Sequence, residues 1–282
     1  MYHFMKVISF LISLIPVVVL EMIARLLSIV FFDILRIRRK LVLSNIETAF
    51  GDVYADYERE RIGRESYRNF LLTGFEFLRS PYHDITADFE VEGEAHLRNA
   101  LSKGKGLYVL CFHMGNWEAM GAYIGTHMHP TYVLVKKVGG KGMNRFVEEL
   151  RTKNKFLWIK REKKGDGLKG IEETLKRNAI VGFVMDQARP GEPRLPFFGS
   201  PAKTNTSFAA IAKKLPAPIL TSFIQRKSLG RHKLTFYPEI ELTYTDDPEK
   251  DIIDQSVLFN QEVEKVVRRK PEQYFWLHNR WK

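Results

Sequence analysis

Cysteine is nearly missing from this sequence: Cys111 stands alone among 282 residues. One thiol excludes an internal disulfide framework and any multi-cysteine zinc site. A long charge-free apolar run is missing too. Residues 4–32 are almost entirely apolar, but Lys6, Pro16, Glu21 and Arg25 interrupt them, and the charge-free stretch 7–20 holds 14 residues. That falls short of the roughly 18 that mark a transmembrane helix outright. No small-x-small processing site follows before further apolar residues, which argues against a cleaved signal peptide. Internal repeats and low-complexity segments are absent. Gly139, Gly140 and Gly142 are not in phosphate-loop register after a strand, and no lysine-serine pair follows them. His127-Met128-His129 has no third ligand at metal-site spacing and reads as a polar helix end.

Acidic residues are also in short supply. Asp and Glu number 33 against 44 Lys and Arg, giving a formal net charge of +11 and a pI near 9.6. Such a surface favours anionic partners: phosphates, acidic carrier proteins, anionic lipid or nucleic acid. Nucleic acid lacks further support, because the basic segments carry few aromatics for base stacking and no recognition-helix signature. Otherwise, 45% apolar and 27% charged residues describe an ordinary globular chain, long enough for a substantial core.

The apolar N-terminus admits several arrangements: a tilted spanning helix, a helix lying in the bilayer surface, a hairpin bent at Pro16, or a buried soluble helix. Arg36, Arg38, Arg39 and Lys40 follow at once, a cluster held on the cytoplasmic side and drawn to anionic lipid. The expectation is a membrane anchor over 1–35 and a cytoplasmic domain over 36–282. Helical spacing marks 39–50 and 57–78. Strand and helix signals then alternate: strands at 89–91, 106–112, 131–135, 157–159 and 179–185, and helices at 94–101, 117–127, 143–153 and 167–177. A long Pro/Gly/Arg-rich loop covers 186–204. Beyond it come a helix at 207–214, strands at 219–225 and 233–237, and a helix at 249–269. This order predicts an α/β fold, a central mixed sheet flanked by helices. The closing run 271–281 is too aromatic for a frayed end and is expected to pack on the body.

The chemistry concentrates at His113-Met114-Gly115-Asn116-Trp117-Glu118-Ala119, directly after the buried strand. A strand delivers His113 to a sheet edge, Asn116 caps the next helix, and Glu118 in its first turn is placed to orient the imidazole. That is one way to build a general base; a satisfied histidine beside a helix N-terminus is the alternative. The strand at 179–185 runs into Asp186-Gln187, and strand C-terminal ends are where α/β sheets place ligands. Asp186 as a simple turn residue is the competing reading. Between them, 136–164 carries eleven Lys or Arg against Glu148, Glu149 and Glu162, an anion-binding surface in which Arg151 follows Phe146, Val147 and Leu150 on a helix beside the site. Cys111 shares a strand face with His113 but reads as a buried small residue rather than a nucleophile.

Taken together, His-x4-Glu after a buried strand, Arg151, Asp186-Gln187, Phe197-Phe198-Gly199-Ser200-Pro201-Ala202 and the closing Pro-Glu-Gln-Tyr-Phe-Trp-Leu-His-Asn-Arg-Trp resemble the bacterial lipid A biosynthesis acyltransferases, the late lauroyl/myristoyl family, over nearly the whole chain. The resemblance implies an α/β fold, an anchor at the cytoplasmic face of the inner membrane, and transfer of a fatty acyl chain to a hydroxyl of a lipid A precursor. The donor would be a thioester on acyl carrier protein or coenzyme A, a co-substrate rather than a bound cofactor, and no metal is implied. Acyl carrier protein, the membrane and an anionic lipid acceptor are the implied partners. It implies His113 as general base and Glu118 as its orienting carboxylate, with Arg151, Asp186, Gln187 and Asn116 on the substrate side. The sequence departs from the family where Gln187-Ala188-Arg189-Pro190 lacks a second acidic residue and where Thr204-Asn205-Thr206-Ser207 lacks glycine. A lysophospholipid or aminolipid acceptor therefore stands as an alternative. So do an ester hydrolase using the same base and a non-enzymatic, basic, membrane-tethered lipid-binding protein.

Overall fold

A computed structural model describes residues 1–134, 139–159, 165–187 and 191–281. Two apolar helices, α1 (Tyr2–Leu14) and α2 (Val17–Ile29), come first, the latter running into a π-helical turn, Val30–Ile34. Their break falls at Ile15-Pro16, where proline ends helical hydrogen bonding, and the pair is bent by 115°. No single described helix is long and apolar enough to cross a membrane. At ~1.5 Å per residue each limb reaches only ~20 Å. Of the arrangements the sequence allows, the bend at Pro16 is the one found.

Two polar helices follow, α3 (Arg39–Phe50) and α4 (Asp56–Arg79). The α/β body then runs β1 (Asp88–Glu92), α5 (Glu94–Leu101), β2 (Leu107–Cys111), α6 (Trp117–Tyr123), β3 (Thr131–Leu134), α7 (Lys141–Lys153), β4 (Phe156–Ile159), α8 (Asp166–Lys176) and β5 (Ile180–Val184). A short hairpin, β6 (Arg194–Phe197) and β7 (Ser200–Lys203), precedes α9 (Ser207–Lys214), β8 (Ile219–Ser228), β9 (Arg231–Glu239) and α10 (Pro248–Arg269). The hairpin corrects the expectation of an unbroken loop over 186–204. Phe198 and Gly199, at φ of 51° and 72°, make the tight two-residue turn that joins antiparallel strands. The expected end of β3 at Val135 lies outside the described residues.

The seven-stranded sheet has the order β1-β9-β8-β2-β5-β3-β4, parallel at every pairing except β8 with β9. It is the mixed, helix-flanked sheet that the alternating pattern predicts. Strand β2 is buried along its whole length, as a strand covered on both faces must be. Alternation divides it cleanly: Tyr108 and Leu110 join the larger core, and Leu107, Val109 and Cys111 join the other.

The N-terminal helices pack on α4 in an inverted sense. Ser9, Ser13, Ala24 and Ser28 are buried with Leu20, whereas Phe4, Phe10, Leu11, Leu14, Val18 (67% exposed), Met22 and Leu26 face outward. Polar groups at and just beyond the end of α4 satisfy the end of α1: the Arg79 guanidinium donates to the Ile12 and Ile15 carbonyls at 3.2 and 2.5 Å, and His83 meets Ser13 O at 2.9 Å. Glu21, a break in the apolar run, accepts the Leu229 N–H at 3.0 Å and so ties α2 to the β8–β9 turn.

Glu76, in the last turn of α4, is buried. It is ion-paired to Arg226 of β8, lies 3.2 Å from His232 Nε2 of β9, and accepts from Gly230 N at 2.6 Å and Asn116 Nδ2 at 2.5 Å. Burial alone would raise its carboxyl, but Arg226 and His232 hold it down at about 2, below the ordinary 4.5. A depressed carboxyl contributes stability that is complete above pH 4.5 and is lost as the pH falls towards 2. Glu76→Ala should cost about 3–5 kcal/mol in denaturant unfolding at pH 7, because Arg226 is left buried without its counter-charge. Acid titration of the unfolding free energy should show the loss between pH 4.5 and 2 in wild type and a flatter profile in the variant.

Candidate active site

The register of the two central parallel strands assembles the site. Cys111 of β2 lies opposite Val184 of β5, so two residues further on His113 stands level with Asp186 and on the same face of the sheet. One carboxylate then grips the histidine twice. Asp186 Oδ2 accepts the His113 backbone N–H at 2.9 Å, and Oδ1 lies 2.8 Å from ring Nδ1. Nε2 has no hydrogen-bond partner among the described residues, and the His113 side chain keeps 21% exposure while Asp186 keeps 2%. This is the geometry of a general base: one nitrogen oriented by a carboxylate, the other free to take a proton.

The charge states follow from the same contacts. Burial lowers the His113 pKa, but the charge and hydrogen bond of Asp186, with the Glu118 charge, outweigh it and leave the imidazole above its ordinary 6.5. Burial would raise Asp186, but His113 and then Arg280 hold it below its ordinary value.

Glu118 does not take the orienting role that its spacing suggests. Its carboxylate forms a two-pronged pair with Arg151 of α7, from Nε at 2.9 Å and from Nη2 at 2.5 Å, with both side chains nearly enclosed. The guanidinium fork engages both Glu118 oxygens, and Nδ1 is already held by Asp186. The pair acts on the ring through its charges, since Glu118 raises the imidazole and Arg151 lowers it. Asn116 caps α6 as expected, accepting from Ala119 N at 3.0 Å, while its amide donates to Glu76. It is wholly buried with both ends engaged, which removes it from the substrate side. Gln187 is exposed and takes no part in the His113–Asp186 pair. Cys111 is buried, donates to Phe183 O at 3.3 Å and has its thiol pushed up by burial, so it is held in the unreactive protonated form. Of the basic stretch, Lys141, Arg145, Arg151, Lys153 and Lys155 are described; 136, 137, 160, 161, 163 and 164 lie outside the described residues, as do Ala188, Arg189 and Pro190.

The loop that carries His113 is clamped from two sides. From α4, Asn69 Nδ2 and Thr73 Oγ1 donate to Gly115 O at 3.1 and 2.8 Å. From the tail, Phe275 N donates to His113 O at 3.0 Å, Gly115 N donates to Gln273 O at 3.1 Å, and Met114 bridges Tyr274. Arg280 donates to Asp186 O at 3.3 Å and to Asn260 at 2.5 Å, and stacks 3.9 Å over Phe197. The aromatic tail therefore packs on the body as its composition requires, and its target is the site. Nothing in the spacing of Glu76, Asn69, Thr73 or Arg280 announces these contacts; a buried-face pattern on α4 that includes polar residues is the only trace.

A sequence model described as bacterial lipid A biosynthesis acyltransferase matches residues 2–282. The chain belongs to that family. Among its relatives is the lipid A biosynthesis palmitoleoyltransferase of Escherichia coli K12, 27% identical over 258 residues covering 88% of this chain and 80% of the relative. A lipid A biosynthesis acyltransferase of Shigella flexneri matches to the same extent. The E. coli lauroyltransferase of lipid A biosynthesis is 24% identical, over 87% of this chain and 79% of its own. Membership supports acyltransferase activity in lipid A biosynthesis.

Asp186→Asn keeps the shape but removes the counter-charge. Activity should fall about 10²–10⁴-fold. In wild type the rate should rise with pH through a pKa above 6.5, as the imidazolium gives up its proton. In the variant that limb should move to lower pH, because burial then acts on the ring without Asp186 to oppose it. A pH–rate profile of both proteins checks the sign.

Proposed function

We propose that this protein is a membrane-bound O-acyltransferase that moves a fatty acyl chain from an acyl-carrier thioester to a hydroxyl of a lipid A precursor at the cytoplasmic face of the inner membrane. The observation that carries the reading is the His113–Asp186 pair at the ends of adjacent strands in a chain of this family. His113 Nε2 takes the proton of the acceptor hydroxyl as its oxygen attacks the thioester carbonyl. The tetrahedral oxyanion forms near Arg151, the cation that acts on the ring from α7. Collapse breaks the C–S bond, and the imidazolium returns its proton to the departing thiolate. No acyl-enzyme is needed, which suits the inert Cys111.

The inverted burial of α1 and α2 supports membrane attachment. A continuous outward face of Phe, Leu, Val and Met is costly in water and favourable against lipid, and the bent pair is suited to lying in one leaflet. Arg36 and Arg38 at its base suit anionic headgroups. The net charge of +11 suits an acidic carrier protein and a phosphorylated acceptor.

Mass spectrometry of total lipids from cells expressing wild type or His113→Ala tests the reaction. A lipid A species heavier by one acyl chain should appear with wild type alone. The same gain on a phospholipid or aminolipid would keep the chemistry and change the acceptor, and identical profiles would favour the lipid-binding alternative. For attachment, the double substitution Val18→Glu and Leu26→Glu should move most of the protein from membrane to soluble fractions on flotation, since each charge costs about 2–3 kcal/mol in hydrocarbon. Unchanged flotation would locate the lipid-binding surface elsewhere.

A further inference from the structure

Gly74 sits inside the 24-residue helix α4, where glycine weakens a helix relative to alanine, and no packing explains it. A Cβ built at Gly74 meets nothing within 4 Å, and the residue is exposed. The other glycine of the same helix, Gly63, behaves differently: a Cβ there would meet the Phe32 ring at 2.7 Å. Helical spacing places Gly74 on one stripe with Phe70, one turn before it, and Phe77, one turn after. Phe70 is 43% exposed and belongs to an aromatic cluster around the base. It lies 6.5 Å from Trp117 and 5.1 Å from Phe275, and these rings in turn lie 5.0 and 6.0 Å from the His113 ring.

At its other end the stripe leads to a cavity. Just past the end of α4, Pro81 and Tyr82 line a space of about 240 Å³ between α1 and α7, with Ser9, Phe146 and Leu150 and the charged Lys6, Glu149 and Lys153 as its other walls. The roof is fastened: Tyr2 and Lys6 of α1 both bond to Glu149 of α7, and Ser9 Oγ donates to Leu78 O at 2.5 Å. From Phe70 to Arg79, where α4 ends two residues before Pro81, is ~14 Å along the helix axis, the length scale of a fatty acyl chain.

We propose that the stripe Phe70–Gly74–Phe77 is the floor on which the donor's acyl chain lies, running from His113 to the cavity between α1 and α7, and that the missing side chain at Gly74 sets which chain lengths fit. The inference rests on the acyltransferase reading above. The occupant follows from continuity with the site: a thioester carbonyl within reach of His113 must lead its hydrocarbon away over the adjoining apolar surface, and the aromatic cluster opens onto this stripe.

The test is Gly74→Leu in the full-length, membrane-embedded protein, assayed with acyl donors of increasing chain length. A side chain on the floor should lower kcat/KM for long donors at least tenfold relative to the shortest, since a mismatch of one or two methylenes in an apolar pocket is worth that much. Phe70→Ala should also weaken the long-chain preference, without filling the groove. Thermal unfolding of Gly74→Leu should be unchanged or improved, because the position is open and leucine is the better helix former. Wild-type length preference in an active Gly74→Leu protein, or an equal loss at every length, would overturn this inference alone. Absence of transfer by wild type from any donor would instead overturn the reading on which it rests.

Discussion

Enclosing the Glu76 carboxylate is the constraint around which the molecule is organised. A buried carboxylate must find donors and counter-charge, and Glu76 draws them from four places: Arg226 on β8, His232 on β9, the Gly230 N–H in the turn between them, and Asn116 at the start of α6. Glu76 thereby ties α4 to the edge half of the sheet and, with Asn69 and Thr73, to the loop bearing His113. The apolar helices inherit the same attachment, because Glu21 engages Leu229, next to Gly230. Glu76 and Glu21 together connect the outward-facing apolar helices, the sheet and the site.

Around that hub the site separates two tasks that the sequence places side by side. Orientation of the imidazole falls to Asp186, which reaches His113 because β2 and β5 are parallel neighbours in a register that carries both residues to one level. Charge near the reacting centre falls to Glu118 and Arg151, a pair closed between α6 and α7. A paired guanidinium keeps its charge without demanding further solvation, so the two ion pairs act on the imidazole by different means.

Inversion of burial in α1 and α2 has the same logic. Serine and alanine let these helices lie close against α4, leaving bulky side chains with no protein to pack against. Residues that would make a core in a water-soluble bundle instead make a surface. The Gly74 stripe is a neighbouring, open strip of the same helix α4.

Much of the fold was legible in the sequence. Period-2 and period-3.6 patterns placed nearly every strand and helix, Pro16 marked the bend, and the aromatic tail announced that it would pack. His113 and Asp186 were both visible as polar residues ending buried strands, because local pattern alone reveals where a strand stops. The partner of His113 was not. Glu118 is five residues away in sequence and Asp186 is seventy-three, and only the pairing of β2 with β5 makes the distant carboxylate the near one. The hairpin at Phe198-Gly199 was missed for a related reason, since β6 and β7 are too short for an alternating pattern. The Glu76 cluster was hidden because a buried carboxylate and a solvated one look alike until the helix carrying it has been packed. Sequence determined which residues had to be covered and which had to end at an edge; the tertiary structure decided which charges met, because electrostatic partners are set by distance in space.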